Sequence, residues 1–312
     1  MKGMSMRAAV VRKVGGPEVI EVLQVPTPEP GPLQVRIKVV AAALNPADAA
    51  VWAGFFGSLD GMEHAGLGLD AAGTIEAVGP GVLLEVGTAV IAFDAAVLRP
   101  TKAQAEFLVV DLNSLAPAPE GMDLTLAATI PLNAMTASQA LDHLPLRPRD
   151  TLLVTGAAGA VGGFAVELAR TRGVRIVAQG RPEDQQFLRD RGATWFVSRD
   201  EELNEAVRRF VPQGVDGVLD AAALGEPALA AVRDGGVFVS LRSDVLPQPR
   251  RAIAVRHTSA GPEATRLSHL SALAEVGVLT PRVARTYPLS EAAQAHAHVA
   301  RGGLRGRIVL VP

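Results

Sequence analysis

The middle of the chain alternates short apolar segments with amphipathic segments in a regular order. Thr151–Thr155 has the β-branched, apolar pattern of a buried strand. The later segments predicted as helices are 164–172, 183–191, 202–210 and 227–233, and those predicted as strands are 175–178, 195–197, 215–220 and 237–241. Strands that alternate with short helices form right-handed βαβ units, so the pattern predicts an α/β fold with a doubly wound parallel sheet.

The segments on either side of this alternation have different patterns. Strands separated by Gly or Pro turns are predicted at 7–11, 20–25, 34–40, 73–78 and 89–93. Helical spacing begins at Asp123 and stops at Pro145. The segments predicted after Gly261 are a helix to Glu275, a strand around Val283, a helix at 290–301 and a strand at 307–311. With 312 residues, the change of pattern predicts two domains.

The composition excludes several classes of function. Lys plus Arg number 30 and Asp plus Glu 32, so the net charge of −2 offers no field that would attract a nucleic acid. Cysteine is absent, which excludes disulfides, thiolate nucleophiles and cysteine-ligated zinc and fits a reducing compartment. We see no signal peptide and no uncharged apolar run of about 18 residues, so we expect a cytoplasmic protein without a membrane span.

A glycine-rich turn follows the first strand of the alternation. Its spacing is Gly-x-x-Gly-x-x-Gly, with Gly156, Gly159 and Gly162. Small residues at a strand-to-helix turn let backbone N–H groups and the positive end of the helix approach a pyrophosphate. The residues that we assign to cofactor binding here are Gly156, Ala158, Gly159, Ala160 and Val161.

The end of the second strand indicates which dinucleotide is bound. NAD sites usually carry Asp or Glu there, whereas this chain has Gly180 and then Arg181. We expect Glu183 and Asp184 to open the next helix and point to solvent. Arg181, together with Arg199 after the third strand, offers guanidinium groups to a 2′-phosphate, which predicts NADPH. The alternative is that both arginines are ordinary surface residues.

Further short motifs lie outside the glycine-rich turn. They are Arg7-Ala8-Ala9-Val10 with Gly16-Pro17-Glu18, Leu44-Asn45-Pro46-Ala47-Asp48, Gly68-Leu69-Asp70-Ala71-Ala72-Gly73 through Val78-Gly79, Thr136-Ala137 before Ala140-Leu141, and Arg305-Gly306-Arg307-Ile308-Val309-Leu310. Together they resemble the zinc-independent medium-chain dehydrogenase/reductase superfamily, in its quinone oxidoreductase (zeta-crystallin-like) branch. The resemblance implies a GroES-like β domain of residues 1–119 and 260–312, an inserted Rossmann domain of residues 120–259, and an active cleft where they meet. It also implies a homodimer, for which the strand at 237–241 is a candidate sheet edge.

The residues themselves argue against a catalytic zinc ion. Zinc-dependent members of the superfamily carry Gly-His-Glu where this chain has Gly68, Leu69 and Asp70, and leucine cannot ligate a metal. Glu63 and His64 lie nearby, but one histidine and one carboxylate are too few ligands for zinc. We therefore expect no metal site.

Candidate catalytic and cofactor residues follow from the resemblance. Asn45 and Asp48 come after a strand expected to line the cleft, so they are candidates for contacts to nicotinamide and substrate, although Asp48 could instead cap a helix. Thr136 is expected beside the cofactor or in a helix interior. Leu241 and Arg305 complete the predicted cofactor set.

Aromatic residues follow the Asn45 motif. Trp52, Phe55 and Phe56 could stack on a flat acceptor or belong to the core. Some members of the family place a tyrosine where this chain has Ala50, and the single tyrosine is Tyr287. A tyrosine proton donor is therefore not expected, which suits acceptors that take a proton from water.

These observations lead to three hypotheses. The first is an NADPH-dependent reductase that transfers hydride to a quinone or another conjugated carbonyl without a metal. The second is an enoyl-thioester or 2-alkenal reductase. The third is a non-catalytic, crystallin-like NADPH-binding protein.

Overall fold

The computed structural model describes residues 4–57, 59, 61–96 and 98–312. The strands are β1 (Ser5–Val11), β2 (Ile20–Pro26), β3 (Gln34–Ala43), β4 (Ala65–Gly66), β5 (Asp70–Val78), β6 (Ala89–Phe93), β7 (Phe107–Asp111), β8 (Leu115–Pro117), β9 (Thr151–Thr155), β10 (Arg175–Gly180), β11 (Trp195–Ser198), β12 (Val215–Asp220), β13 (Val232–Ser240), β14 (Ala254–His257), β15 (Val283–Pro288) and β16 (Arg307–Val311). The α-helices are α1 (Ala49–Trp52), α2 (Leu124–Ala127), α3 (Pro131–Asp142), α4 (Ala160–Thr171), α5 (Gln185–Asp190), α6 (Leu203–Arg208), α7 (Glu226–Ala230), α8 (Ala264–Glu275) and α9 (Ala292–Arg301). Short 3-10 helices include Pro46–Asp48 and Pro182–Asp184.

The chain forms two compact units. The first comprises Met1–Leu132, Pro262–Gly277 and Pro281–Pro312, and the second comprises Asn133–Gly261 and Val278–Thr280. The first unit extends past residue 119 because α2 packs on β3 and β5, and because the backbone N–H of Leu132 donates to Asp70. The short return segment joins the second unit where the Thr280 N–H donates to Glu167 on α4.

The first unit is mainly antiparallel. One sheet has the order β2-β1-β4, and a larger sheet has the order β15-β16-β3-β5-β6-β8, with β7 also paired to β3. Alternating residues of β3, such as Val35 and Ile37, pack with Ile75 and Val90 in an apolar core. Strand β16 pairs antiparallel with the end of β3, and the Leu44 N–H donates to the Ile308 carbonyl. This pairing brings the C-terminal strand beside the residues that follow β3.

The second unit is a parallel α/β layer structure. Its sheet has the order β11-β10-β9-β12-β13-β14, and every neighbouring pair is parallel. Numbered within the unit, this is the order 3-2-1-4-5-6, which is the dinucleotide-binding arrangement. The α/β fold class predicted from the alternation is confirmed.

Three details of the sequence prediction are wrong. Strand β13 is not at the sheet edge, because β14, which was not predicted, pairs with it. The helix predicted at 227–233 ends at Ala230, since the β-branched Val232 already pairs with Val215. The helical region after Asp123 is interrupted, and α3 starts at Pro131, where the ring suits a first helical position.

Each helix in the described parts of the chain is too short or too polar to cross a bilayer.

Candidate active site and dinucleotide-binding site

The glycine-rich turn of the second unit has a backbone geometry that only small residues allow. Gly156 has φ +57°, and Gly159 is the extended N-cap residue of the 12-residue helix α4. A Cβ atom on Gly162 would lie 2.3 Å from the Gly156 carbonyl oxygen and 2.8 Å from the Cα of Ala157. The turn and the helix therefore pack backbone against backbone. In general the N–H groups of the first helical turn have no partner within the helix, so the start of α4 is a suitable place for a pyrophosphate.

The end of β12 supports the turn through a buried carboxylate. The Thr155 hydroxyl donates to Asp220 over 2.6 Å, and it accepts the N–H of Ala222 over 3.0 Å. The Asp220 carboxylate also accepts the N–H groups of Leu224 and Gly225. Asp220 is fully buried, so these bonds hold the loop after β12 against the glycine-rich turn. Neither Thr155 nor Asp220 was predicted in this role from the sequence.

The end of β10 presents an arginine and no neighbouring carboxylate in sequence at positions 178–181. Gly180 is buried, and the N–H of the following Arg181 donates to the Asp184 carboxylate over 3.1 Å. The prediction that Asp184 points to solvent is wrong, because this bond closes the 3-10 turn and buries its side chain. Glu183 is exposed as expected.

Arg199 lies beside the same strand end. Its backbone N–H donates to the Gly180 carbonyl over 2.8 Å, and its side chain is exposed, with Asp200 at 3.8 Å. The half-buried Arg181 and the exposed Arg199 thus flank Gly180. Small residues, the N-terminus of a helix and cationic side chains together fit a dinucleotide phosphate.

The remaining cofactor candidates have diverse environments. Leu241 is half-buried directly after β13, and its N–H is 3.5 Å from the Asp220 carbonyl at the edge that carries the glycine-rich turn. Thr136 is half-buried on α3. Arg305 belongs to the first unit, is exposed, and lies two residues before β16.

Asn45, in the first unit, is at the centre of a buried hydrogen-bond network. Its side-chain Nδ2 donates to Asp70 over 2.9 Å, and its Oδ1 accepts from Arg307 over 2.6 Å. The second Asp70 oxygen accepts the N–H of Leu132 over 2.7 Å. The network therefore joins the ends of β3, β5 and β16 to the first turn of α3.

Asp48 is a buried cap of its own turn. Its carboxylate accepts the backbone N–H of Asn45 over 2.7 Å, which is the capping role that the sequence analysis left open. Burial raises the pKa of Asp48 to about 6, against the lowering effects of that bond and of Lys102 and Arg307. Burial likewise raises the pKa of Asp70 to about 7, although Asn45 and the Leu132 N–H oppose the shift. Both carboxyl groups therefore change protonation near neutral pH.

Lys102 lies within electrostatic range of these carboxyl groups, and Asp94 in turn acts on Lys102. Lys102 is buried and donates to the carbonyl oxygens of Ala96 and Asp94. Burial lowers the pKa of Lys102, which Asp94 and Asp48 partly counteract. Burial also raises the pKa of Asp94. The first unit thus holds a mixed cluster of cations and carboxyl groups in its interior.

The three aromatic candidates differ in burial. The Trp52 indole packs against the core and donates to Nδ1 of the buried His296 over 3.3 Å. Phe55 is 82% exposed and Phe56 is 47% exposed. The loop therefore offers Phe55 and Phe56 to solvent, whereas the Trp52 side chain contributes to packing.

Sequence reasoning did not predict that three charged residues of the first unit would form one cluster. They are Asp70, Arg307 and Lys102. Asp70 and Arg307 stood inside quoted motifs without a role, and their separation of more than two hundred positions concealed the network. A charged residue within a strand pattern was the available signal, since such residues are seldom buried without partners. Within the residues that the structure describes, no group of three or more His, Cys, Asp or Glu side chains could hold a metal ion.

Comparisons with known proteins agree with this architecture. Residues 31–120 match the alcohol dehydrogenase GroES-like domain, and residues 185–310 match the zinc-binding dehydrogenase family. The chain is 30% identical to the quinone oxidoreductase of Pseudomonas aeruginosa, over 96% of this chain and 97% of that protein. It is 30% identical to the chloroplastic NADPH-dependent alkenal/one oxidoreductase of Arabidopsis thaliana, over 98% of this chain and 80% of that protein.

A larger protein also contains a similar segment. A mycocerosic acid synthase-like polyketide synthase of Mycobacterium tuberculosis is 32% identical over 96% of this chain, which spans 15% of that protein. Among solved structures, the quinone oxidoreductase from Coxiella burnetii superposes with a TM-score of 0.87 at 25% identity, over 99% of this chain and all of that one.

Two more solved structures differ in their nucleotide. An NAD-dependent alcohol dehydrogenase has a TM-score of 0.87 at 31% identity, over 98% of this chain and all of its own. A mycobacterial protein complexed with NADPH has a TM-score of 0.83 at 26% identity with the same coverage. From these matches and the folds of the two units, the chain belongs to the medium-chain dehydrogenase/reductase superfamily, in its quinone oxidoreductase branch, and is a pyridine nucleotide-dependent type of oxidoreductase.

Proposed function

We propose that this protein is an NADPH-dependent reductase that transfers hydride to a quinone or another conjugated carbonyl acceptor. The observation that carries the proposal is the end of β10, where Gly180 is followed by Arg181 and Arg199 lies alongside. A guanidinium group binds a 2′-phosphate well, whereas an NAD site would carry a carboxylate for the ribose hydroxyl groups. Asp184, the buried carboxylate that follows this strand end, is bonded to the Arg181 N–H.

The protein's own groups have separate tasks in this reaction. The turn from Gly156 to Gly162 would hold the pyrophosphate by backbone N–H groups, and Arg181 would hold the 2′-phosphate. Bound NADPH supplies a hydride from its nicotinamide ring. A quinone that gains one hydride and one proton becomes a hydroquinone, with NADP⁺ as the other product. Water supplies the proton, since Ala50 replaces the tyrosine of some relatives.

We propose further that the reaction needs no zinc, although one matching family model is called zinc-binding. Leu69 has no atom that can ligate a metal, and the chain contains no cysteine. Asp70, next to Leu69, accepts from the Asn45 amide, and the Asn45 oxygen accepts from Arg307, whose charge also acts on Asp70. The cation that balances Asp70 is therefore a side chain of the protein.

A reductase of enoyl thioesters or 2-alkenals is the second candidate. The Arabidopsis relative is an alkenal/one oxidoreductase, and the polyketide synthase segment is the most identical of the three curated relatives described above. Quinones and alkenals both accept hydride at a conjugated carbonyl system, so the two candidates differ in the acceptor alone.

Steady-state oxidation of NADPH tests these proposals. The acceptors are 1,4-benzoquinone, 9,10-phenanthrenequinone, a 2-alkenal and crotonyl thioester, each with NADPH and with NADH, before and after treatment with a chelator. We expect the highest kcat/KM with a quinone and NADPH, unchanged by the chelator. A higher value with the alkenal or thioester would favour the second candidate. NADPH binding without oxidation by any acceptor would favour the non-catalytic hypothesis instead.

A homodimer is also part of the proposal. The second-unit sheet has two edge strands, β11 and β14, and β14 is the one that lies next to β13. Its backbone offers a place where a second copy could add a strand. Sedimentation of the purified chain tests this, and a monomer at all concentrations would contradict it.

A further inference from the structure

The bonds of the Asn45 side chain define the orientation of its amide. Arginine has only donors, so the atom 2.6 Å from Arg307 Nη2 must be the amide oxygen. The amide nitrogen then faces Asp70 at 2.9 Å and the Ala43 carbonyl at 3.4 Å. A flipped amide would set donor against donor and oxygen against carboxylate. The network therefore selects one of the two orientations.

Asp70 has no exposed surface, and both its oxygens accept hydrogen bonds. One accepts from Asn45 and the other from the Leu132 N–H, which lies in the first turn of α3. A negative charge in this position also suits the positive end of a helix. Arg307 comes from β16 on the other side of Asn45. Two elements distant in sequence thus hold the amide from opposite sides.

We propose that Asp70 and Arg307 are positioning residues that hold the Asn45 amide in one orientation for hydride transfer. The proposal rests on the proposed function, because it takes Asn45 as a contact of the cofactor or acceptor. Neither Asp70 nor Arg307 needs to touch either molecule. Their effect on the reaction passes through Asn45.

The charged groups around Asp70 determine how this arrangement responds to pH. Arg307 and Lys102 favour its ionised form, whereas Asp48 and burial favour the neutral form. A proton on Asp70 occupies an oxygen that otherwise accepts from Asn45 or Leu132. The restraint on the Asn45 amide therefore weakens as the pH falls through about 7, the pKa of Asp70.

Selective labelling allows a test that is independent of activity. The chain has four asparagines, Asn45, Asn113, Asn133 and Asn204, so ¹⁵N-asparagine labelling gives four side-chain amide signals. The Asn45→Ser variant assigns the relevant pair. We expect two well-separated Asn45 amide protons that exchange slowly with water and shift between about pH 6 and 8. Asn113, which bonds to the backbone of Pro262 and Ala264, and Asn204, which accepts from Arg208, serve as internal controls.

Averaged, rapidly exchanging Asn45 amide protons would overturn the proposal, as would an Asn45 signal unaffected by Asp70→Asn. This measurement uses the wild-type chain first, so a variant that fails to fold does not remove the test. It also remains decisive if the wild-type chain reduces none of the acceptors, in which case the proposed function fails separately.

Kinetics distinguishes positioning from a general structural effect. We expect Asp70→Asn to lower kcat about a hundredfold, because misplacing a reacting contact by about 1 Å has that cost. We expect Arg307→Lys, which keeps a donor and the charge, to recover part of the loss seen in Arg307→Met. In an Asn45→Ala background, Asp70→Asn should change kcat by less than about twofold. Full, multiplicative losses in that background would contradict action through Asn45.

Discussion

The glycine-rich turn and the Asn45 network are built in opposite ways. The turn uses contiguous small residues, and its proposed function depends on backbone N–H groups and on the missing Cβ of Gly162. The network uses the Asn45 amide, which follows β3, and two charged side chains, Asp70 of β5 and Arg307 of β16, each bonded to that amide in the interior. The turn should therefore respond mainly to added volume, whereas the network should respond to lost charge and to pH.

The same contrast concerns how each region balances its charge. At the end of β10, Arg181 and Arg199 retain solvent access, and a phosphate would supply the matching charge. Around Asn45, Asp70 and Arg307 already balance each other inside the protein. Charges at an open edge are suited to binding a ligand, and charges in a closed cluster are suited to holding a side chain.

The largest expected effect concerns Arg307. Replacing it in Arg307→Met leaves Asp70 and Asp48 without their guanidinium partner, so we expect the free energy of unfolding to fall by about 3 to 5 kcal/mol above pH 7. Urea unfolding measures this change. The matched control is Arg12→Met at an exposed position, which should change the free energy by less than about 0.5 kcal/mol. Equal changes in the free energy of unfolding of the two variants would show that Arg307 contributes no more to stability than an exposed arginine, which would contradict the buried network.

The next effect is the pH dependence that Asp70 confers. Burial raises its folded-state pKa to about 7 from an ordinary 3.8, so the folded chain binds a proton that the unfolded chain releases between those values. Wild-type stability therefore falls as the pH rises through this window and is level above it. Asp70→Asn removes this contribution. The free energy of unfolding of the variant should therefore rise relative to that of wild type by about 1.4 kcal/mol per pH unit between about pH 5 and 7.

Urea unfolding of both proteins at several pH values tests this slope. The difference between them cancels other groups, such as His296, whose pKa burial lowers to about 4. Asp216→Asn is the control. Burial acts to raise the pKa of Asp216, but bonds from Arg233 and Thr151 outweigh it and lower the pKa, so its own window lies below about pH 4. If the difference in the free energy of unfolding between wild type and Asp70→Asn did not change with pH, the raised pKa of Asp70 in the buried cluster would be contradicted.

The third effect tests the turn. A methyl group at Gly162 meets backbone atoms, so Gly162→Ala should lower the free energy of unfolding by about 1 to 3 kcal/mol and weaken NADPH binding. The control is Gly261→Ala in the same unit, where a Cβ has open space and φ is not positive. Thermal unfolding and nucleotide fluorescence measure the two quantities. An NADPH affinity equal in both variants would show that the turn does not hold the cofactor.

The glycine-rich turn could be predicted from the sequence, whereas the Asn45 network could not. The features that predicted the α/β sheet and its turn lie close together in sequence, so periodicity and spacing were enough to locate them. They are Thr151–Thr155, the glycines and Arg181. The Asn45 network joins residues far apart in sequence, and only the pairing of β16 with β3 brings Arg307 to Asn45. Local pattern contains no information about such a pairing.

Two smaller errors of the sequence prediction also arose because it relied on local pattern alone. Asp184 was expected in solvent because residues that open a helix usually are exposed, but its side chain closes the turn after Arg181. Strand β14 is only four residues long and follows an irregular segment, so its own pattern was too weak to predict. Its place at the sheet edge comes from pairing with β13.

The most direct measurement is the affinity of the wild-type chain and of Arg181→Ala for NADPH and NADH, by calorimetric titration. Arg189→Ala, at an exposed position on α5, is the matched control. We expect wild type to bind NADPH at least about tenfold more tightly than NADH, and Arg181→Ala to lose this preference through weaker NADPH binding alone. Comparable affinities for the two nucleotides in wild type, or unchanged NADPH affinity in Arg181→Ala, would contradict the assignment.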